Sequence, residues 1–422
     1  MASINYIPRL IESYLFNEQL TGRHMIFLAG PRQVGKTELA RNWLAAQRST
    51  LLYFNWDDIR TRQSYFEDSR FFESPARSLG IKDPWIVFDE IHKRQRWRDI
   101  LKGIYDLFGN EFRFLVTGSA RLDMFRQSGD SLVGRYNLFH MMPFNLKELL
   151  QPVFTPGFLC ADALIKRARA FEEEIHAPPA PEISDAFESL WRWGPFPEPF
   201  LRQNDRFARK WHQDYIALMV REELRDLSRV TELDKIERLL MLLPSRLTAP
   251  LSMHNLAAEL EVAHTTVKNW LEQLRRLYLI FSVTPWYKKI SRGLRKEKKW
   301  YFINWYYAAD EAARLENMVA SLLYRTCLSL TDNGFGSFRL HFVRTVDKKE
   351  IDFLIVREGR PVLAVEVKST DQSLSRPLAK RKNWIVTDQT IGVQVIGKPG
   401  ILQKHGDHTW VVSADRFLAL LN

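Results

Sequence analysis

The chain has 422 residues, 45% hydrophobic and 26% charged, which suits a globular protein of two to four domains on a prior of roughly 100 to 200 residues each. No apolar run approaches the roughly 20 residues of a membrane span, and MASINYIPRLIESYLFNEQL lacks the unbroken apolar core of a secretion signal, so a cytoplasmic protein with no membrane contact is expected. A net charge of +11 favours polyanionic partners, Cys160 and Cys327 lie too far apart for a Cys-x-x-Cys pair, and the ten histidines show no metal-ligand spacing.

The first chemical signal is HMIFLAGPRQVGKTELARNWL. An apolar run, Met25 to Ala29, predicts a strand, and a helical pattern follows Gly30, Pro31, Arg32, Gln33, Val34, Gly35, Lys36 and Thr37. Strand, glycine-rich loop and helix are the context of a phosphate-binding loop. The glycines let backbone N–H groups face phosphate oxygens, and the helix N-terminus adds its positive dipole end. Lys36 is expected on the β- and γ-phosphates of ATP and Thr37 on Mg²⁺. A second buried-strand run, Trp85 to Phe88, ends in Asp89 and Glu90. Asp89 is expected to hold Mg²⁺ through water, and Glu90 to accept a proton from the attacking water. A third run, FRFLVTGSARLD, ends at Thr117-Gly118-Ser119, where the Ser119 hydroxyl is placed to sense the γ-phosphate.

The middle of the chain is helical. The Pro-rich end of FTPGFLCADALIKRARAFEEEIHAPPAPEI reads as a linker or surface excursion, and Phe187 to about Leu243 reads as helices interrupted at WRWGPFPEPF, expected to pack as a lid. In LSMHNLAAELEVAHTTVKNWLEQLRRLYLIFSV, Leu256, Leu260, Val262, Val267, Leu271 and Leu274 keep helical spacing across a turn near Glu261 to His264, and a strand follows from Leu279. This resembles a winged helix-turn-helix with its second helix over Thr265 to Leu277, a pattern that serves both DNA and protein contacts. Seven of the twelve residues from Lys288 to Lys299 are Lys or Arg, with Trp286, Tyr287 and Trp300 at the margins. Lys288, Lys289, Arg292, Arg295 and Lys296 are the candidate phosphate-backbone contacts, the bland alternative being a solvated hairpin tip.

Near the C-terminus, EIDFLIVREGRPVLAVEVKST predicts two strands. If Glu358-Gly359-Arg360 is a three-residue hairpin loop, Val356 pairs with Val362 and Asp352 falls opposite Glu366. Two carboxylates meeting across a ladder call for a cation or for water, and Lys368 lies beside them. Asp347 and Glu350 are rivals to Asp352, because the choice rests on register.

Taken together, GPRQVGKT, TGSA, GRY and GPFPEP resemble the AAA+ class, specifically prokaryotic ATPases with a nuclease-like C-terminal domain of uncertain role. The C-terminal strands resemble the PD-(D/E)xK nuclease core, to which that family adds a helix glutamate, here Glu316 in ADEAARLENMVASLLYRT. The resemblance implies an α/β chain divided into a P-loop AAA+ ATPase domain with a helix-flanked parallel sheet (1–150), a helical lid and linker (151–243), a winged helix-turn-helix with basic wing (244–300) and a restriction-endonuclease-like domain (301–422). It also implies Arg135 as an arginine finger, with Arg121 as a second candidate, a homo-oligomeric ring of six subunits, and DNA as substrate, including branched DNA such as a Holliday junction. Asp352 and Glu366, with Glu316 and Lys368, would form a metal-dependent nuclease site. The alternative is a regulatory ATP switch whose inactive nuclease-like domain serves partner or subunit contacts.

Overall fold

In the computed structural model, residues 6–118, 132–224, 232–286, 297–345, 349–383, 385, 390–406 and 408–422 are described. They fall into two compact units, Met1–Pro143 and Phe144–Asn422.

The apolar runs of the first unit become five strands: β1 (Met25–Ala29), β2 (Tyr53–Asn55), β3 (Trp85–Asp89), β4 (Arg113–Thr117) and β5 (Tyr136–His140). They form one all-parallel sheet in the order β2-β3-β4-β1-β5. β1 and β4 are buried at every residue, as expected of parallel strands covered on both faces. Because β4 is inserted between β1 and β3, Thr117 at its end pairs with Leu28 on one side and Asp89 on the other. The phosphate loop and the acidic strand end therefore emerge on the same sheet edge, the carboxyl edge where ligands of open α/β sheets sit. Phe72 sets its ring edge-on against Phe88, Phe108, Phe112 and Phe114 at 5.4 to 6.3 Å, closing the core beside β3 and β4.

The second unit opens with helices that stop where the sequence demands. Ile183–Trp193 ends at Gly194, which has φ +80°, and Pro197 begins the helix Pro197–Arg202. Met253–Glu259 and His264–Arg276 form the helix pair, turned by Glu261 in a left-handed conformation, and bury Leu256, Leu260, Val267, Leu271 and Leu274 between them and the strands that follow. Eight strands, β6 (Ile280–Pro285), β7 (Lys299–Phe302), β8 (Phe338–Arg344), β9 (Glu350–Arg357), β10 (Arg360–Lys368), β11 (Ile391–Ile396), β12 (Leu402–Lys404) and β13 (Thr409–Ser413), make one mixed sheet in the order β12-β13-β11-β10-β9-β8-β6-β7. The β6–β7 hairpin is thus an extension of the C-terminal sheet, joined through Thr284↔His341 and Pro285↔Phe342.

The β9–β10 turn departs from the expected loop. Glu358 and Gly359 both adopt positive φ, +49° and +76°, the requirement of a two-residue turn that matches strand twist. Arg360 pairs with Arg357 and Pro361 with Val356, so Val356 does not face Val362. The register then shifts before Leu363↔Ile355, leaving Val362 as an extra residue next to a proline that cannot donate to the ladder. That bulge restores the expected register as far as Val365↔Phe353, with Asp352 and Glu366 next along the two strands.

Candidate functional site

The phosphate loop needs its glycines for geometric reasons. Gly30 has φ +144°, and a Cβ there would lie 2.1 Å from the Met141 carbonyl oxygen, so no side chain fits. Gly35, at φ +97°, turns the chain into the helix Lys36–Ala46, and Gln33 is also left-handed at φ +63°. The buried Lys36 ammonium donates to the carbonyls of Gly30 and Pro31 at 3.0 and 2.6 Å, at the mouth of the loop. Arg9, which no sequence signal marked, is buried and donates to the carbonyls of Val34 at 2.7 Å and Met142 at 2.6 Å, tying the loop to the chain beyond β5.

Asp89 gathers three hydroxyls. Thr37 Oγ1 and Tyr53 OH donate to Oδ2 at 2.8 and 2.5 Å, and the Thr117 hydroxyl donates to Oδ1. Burial pushes the Tyr53 phenol up, and the Asp89 charge adds to the rise, so Tyr53 acts as a donor. Glu90 follows in a left-handed conformation, φ +59°, which swings its side chain out of strand alternation. Its carboxylate lies 3.5 Å from His92 Nε2 and 3.4 Å from Lys93 Nζ. Burial raises the Glu90 carboxyl above its ordinary range; Lys93 opposes the rise and Asp89 reinforces it.

Arg135 pairs with Asp106 of the helix Trp97–Phe108, at 2.7 and 3.2 Å. Ser119 and Arg121 lie outside the described residues, as do Lys288, Lys289, Arg292, Arg295 and Lys296. The end of that basic run is not a surface. Lys299 is 1% exposed and Trp300 is buried, because both belong to β7, a strand covered on both of its faces.

There Lys299 meets the predicted acids. Its ammonium is ion-paired with Glu350 Oε1, and lies 3.5 Å from Glu316 Oε1 and 3.8 Å from Asp352 Oδ1. Tyr301, two residues on and therefore on the same face of β7, donates to Glu316 Oε1 at 2.7 Å. Asp352 Oδ2 accepts from the Val367 N–H at 2.9 Å, and Lys368 Nζ lies 2.9 Å from Glu366 Oε1. Burial, with the Asp352 charge next, pushes Glu316 and Glu366 upward. Burial alone would pull Lys299 down, but Glu316, Asp352 and Glu350 outweigh it and keep the ammonium charged. Thus Glu316, Asp352, Glu366 and Lys368 do come together, and Lys299, Glu350 and Tyr301 join them. Asp347 lies outside the described residues.

Residues 22–150 match a family described as an AAA domain, while residues 184–305 and 312–416 match two families described as domains of unknown function, DUF8612 and DUF4143. Uncharacterised proteins of Mycobacterium bovis and Mycobacterium tuberculosis are each 23% identical over 367 residues, spanning 84% of this chain and 72% of theirs. An uncharacterised protein of Methanocaldococcus jannaschii is 25% identical over 317 residues, 69% of this chain and 63% of that one. Among solved structures, the Aeropyrum pernix Orc1 protein in complex with DNA is similar at TM-score 0.30 and 15% identity, covering 70% of this chain and 86% of that chain. The replication initiator DnaA bound to AMPPCP and single-stranded DNA is similar at TM-score 0.27 and 14% identity, covering 65% of this chain and 93% of that chain. Scores of that size fix neither fold nor function.

Proposed function

We propose that the N-terminal unit binds ATP with Mg²⁺ and hydrolyses it, and that the chain, as a homo-oligomer, couples this turnover to DNA. The observation that carries the reading is the joining of the phosphate loop to the acidic strand end: Thr37 Oγ1 sits 2.8 Å from Asp89 Oδ2, with Lys36 at the loop mouth and Glu90 next in the chain. The donor set suits Mg²⁺, since a hydroxyl and a carboxylate side by side are hard oxygen ligands, and Thr37 and Asp89 would hold the ion. When bound it neutralises phosphate charge. Lys36 compensates the same charge at the β- and γ-phosphates, the loop N–H groups orient the chain of phosphates, and Glu90 accepts the proton of the attacking water. Arg135 is proposed to exchange Asp106 for the nucleotide of a neighbouring subunit, and exposed ion pairs hold weakly enough for that.

The net charge of +11, the helix pair and the basic run support DNA as the partner, branched DNA included. A binding panel of single-stranded, duplex and four-way-junction DNA, with and without ATP, together with ATP turnover on each, tests this. DNA that is bound and stimulates turnover supports the motor reading. Turnover indifferent to every DNA supports instead a regulatory switch with a non-cutting nuclease-like domain, the reading favoured by the lysine inside the acid cluster.

A further inference from the structure

The acids of the C-terminal unit do not fit a divalent metal. A Mg²⁺ ion draws oxygen ligands to about 2.1 Å, which requires two or three carboxylates converging on one point. Among the described residues no group of three or more His, Cys, Asp or Glu is so arranged. Glu316, Glu350 and Asp352 instead surround the Lys299 ammonium, which lies within 3.8 Å of a carboxylate oxygen of each and is sealed from solvent at 1% exposure. Its position is fixed from both sides of β7. Lys299 pairs with Val283 of β6 and bridges to Pro250, and its ammonium lies 5.5 Å from the Phe342 ring, which offers a cation a favourable face. Two further cations serve the flanks: Arg344 lies 3.7 Å from Glu350 Oε2, and Lys368 2.9 Å from Glu366 Oε1.

We infer that the Lys299 ammonium is the resident cation of this cluster, neutralising Asp352 together with Glu316 and Glu350 in place of a divalent metal, and that the C-terminal unit has no hydrolytic metal centre. An ammonium suits the place, because its three N–H donors can serve three carboxylates while its single charge cannot lower the pKa of a water for attack on phosphate as a divalent ion does. One atom argues the other way. Glu366 Oε2 is buried with no hydrogen-bond partner, and it is the oxygen a divalent ion would use. The inference rests on the C-terminal unit alone and stands or falls apart from the ATPase reading.

The test is direct metal binding by the full chain without nucleotide. MnCl₂ is titrated into the parent, Glu366→Gln, Lys299→Ala and the Lys299→Ala/Glu366→Gln double variant, and free Mn²⁺ is read from its electron paramagnetic resonance signal. The parent and Glu366→Gln should take up Mn²⁺ identically below about 1 mM, so any uptake at the ATP site cancels. Lys299→Ala should gain one further site, at least about tenfold tighter than that limit, and the double variant should lose it. A parent site that vanishes in Glu366→Gln overturns the inference, since the lone oxygen would then be ligating a metal beside the lysine. A folded Lys299→Ala that gains no site overturns it as well. Should Lys299→Ala fail to fold, Lys299→Met fills the same volume, and the comparison of parent with Glu366→Gln decides without either.

Discussion

Thr37 Oγ1 donates to Asp89 Oδ2 at 2.8 Å although 52 positions separate them in the chain. The contact exists because β4 is threaded between β1 and β3, so the end of the phosphate loop and the end of the acidic strand reach the same sheet edge one strand apart. The two oxygens are thereby already side by side, as the proposed Mg²⁺ would need, and ligand groups that must be gathered at binding cost affinity. Lys36→Ala should abolish ATP binding, since the ammonium that compensates phosphate charge is gone. Glu90→Gln should bind ATP normally and turn it over more slowly by a factor of about 10² to 10⁴, the usual worth of a positioned general base. Equilibrium binding of a labelled nucleotide and steady-state turnover, measured on both variants, separate the two roles, and normal turnover in Glu90→Gln removes Glu90 from the chemistry.

Gly30 gives a steric prediction. An alanine Cβ would stand 2.1 Å from the Met141 carbonyl oxygen at a backbone φ of +144°, and the obstacle is backbone, which cannot swing aside. Gly30→Ala should destabilise the N-terminal unit by at least about 1 to 3 kcal/mol and lower ATP affinity with it. Gly103 is the control, because it sits inside the helix Trp97–Phe108 with nothing within 4 Å of the place an alanine methyl would take. Gly103→Ala should stabilise by about 0.4 to 1 kcal/mol. Chemical denaturation of the two variants, side by side, reads both signs.

His212 makes the stability of the C-terminal unit pH-dependent. The buried ring has Nε2 3.0 Å from the Trp193 carbonyl and Nδ1 3.1 Å from Asn304 Nδ2, so Nε2 carries the proton and Nδ1 accepts from the amide. Burial pushes its pKa down to about 4; the Trp193 carbonyl opposes that, and Arg314 adds to it. Between about pH 6.5 and pH 4 the unfolded chain therefore binds a proton that the native state refuses, and stability is lost as pH falls through this window. The full loss should be about 3 kcal/mol. His212→Phe should be less stable at pH 7, because the Trp193 and Asn304 groups lose their partner, but its stability should fall less between pH 7 and pH 4.5. An equal fall in both proteins would mean that other groups carry the acid sensitivity.

What the sequence reveals and what it hides follow one physical division. β1, the phosphate loop and the Asp-Glu strand end are legible because each is a contiguous run whose burial and turn chemistry are local. Tyr53 and Arg9 are not, since their roles depend on which strand lies beside which, and a phenol on a three-residue strand or an arginine before a helix looks the same with or without a partner. The expectation that Asp352 faces Glu366 assumes a loop one residue too long, and the bulge at Val362 restores the register that the shorter turn removes. Lys299 is hidden for a compositional reason. It ends a run of lysines and arginines that looks like one solvated face, whereas strand alternation from Lys299 to Tyr301 turns that last lysine inward onto Glu316.

The part of the run that precedes Lys299 carries the DNA prediction. Lys288, Lys289, Arg292, Arg295 and Lys296 fall between β6 and β7, and a chain of this net charge, +11, has cations to spare for phosphates. Each phosphate neutralised by a side chain releases condensed counterions, so binding should weaken with salt in proportion to the number of contacts. Replacing the five with serine should weaken DNA binding and reduce the slope of log affinity against log salt by up to roughly 0.9 per lost contact. Lys299 must be left in place, because its removal would disturb the acid cluster and confuse a folding defect with lost binding. Fluorescence anisotropy of a labelled duplex across a salt series gives affinity and slope from one experiment, and thermal unfolding of the same variant reports whether the fold is intact. An unchanged slope at unchanged stability would mean that these five side chains meet water rather than phosphate, and that DNA, if bound, is held elsewhere on the chain.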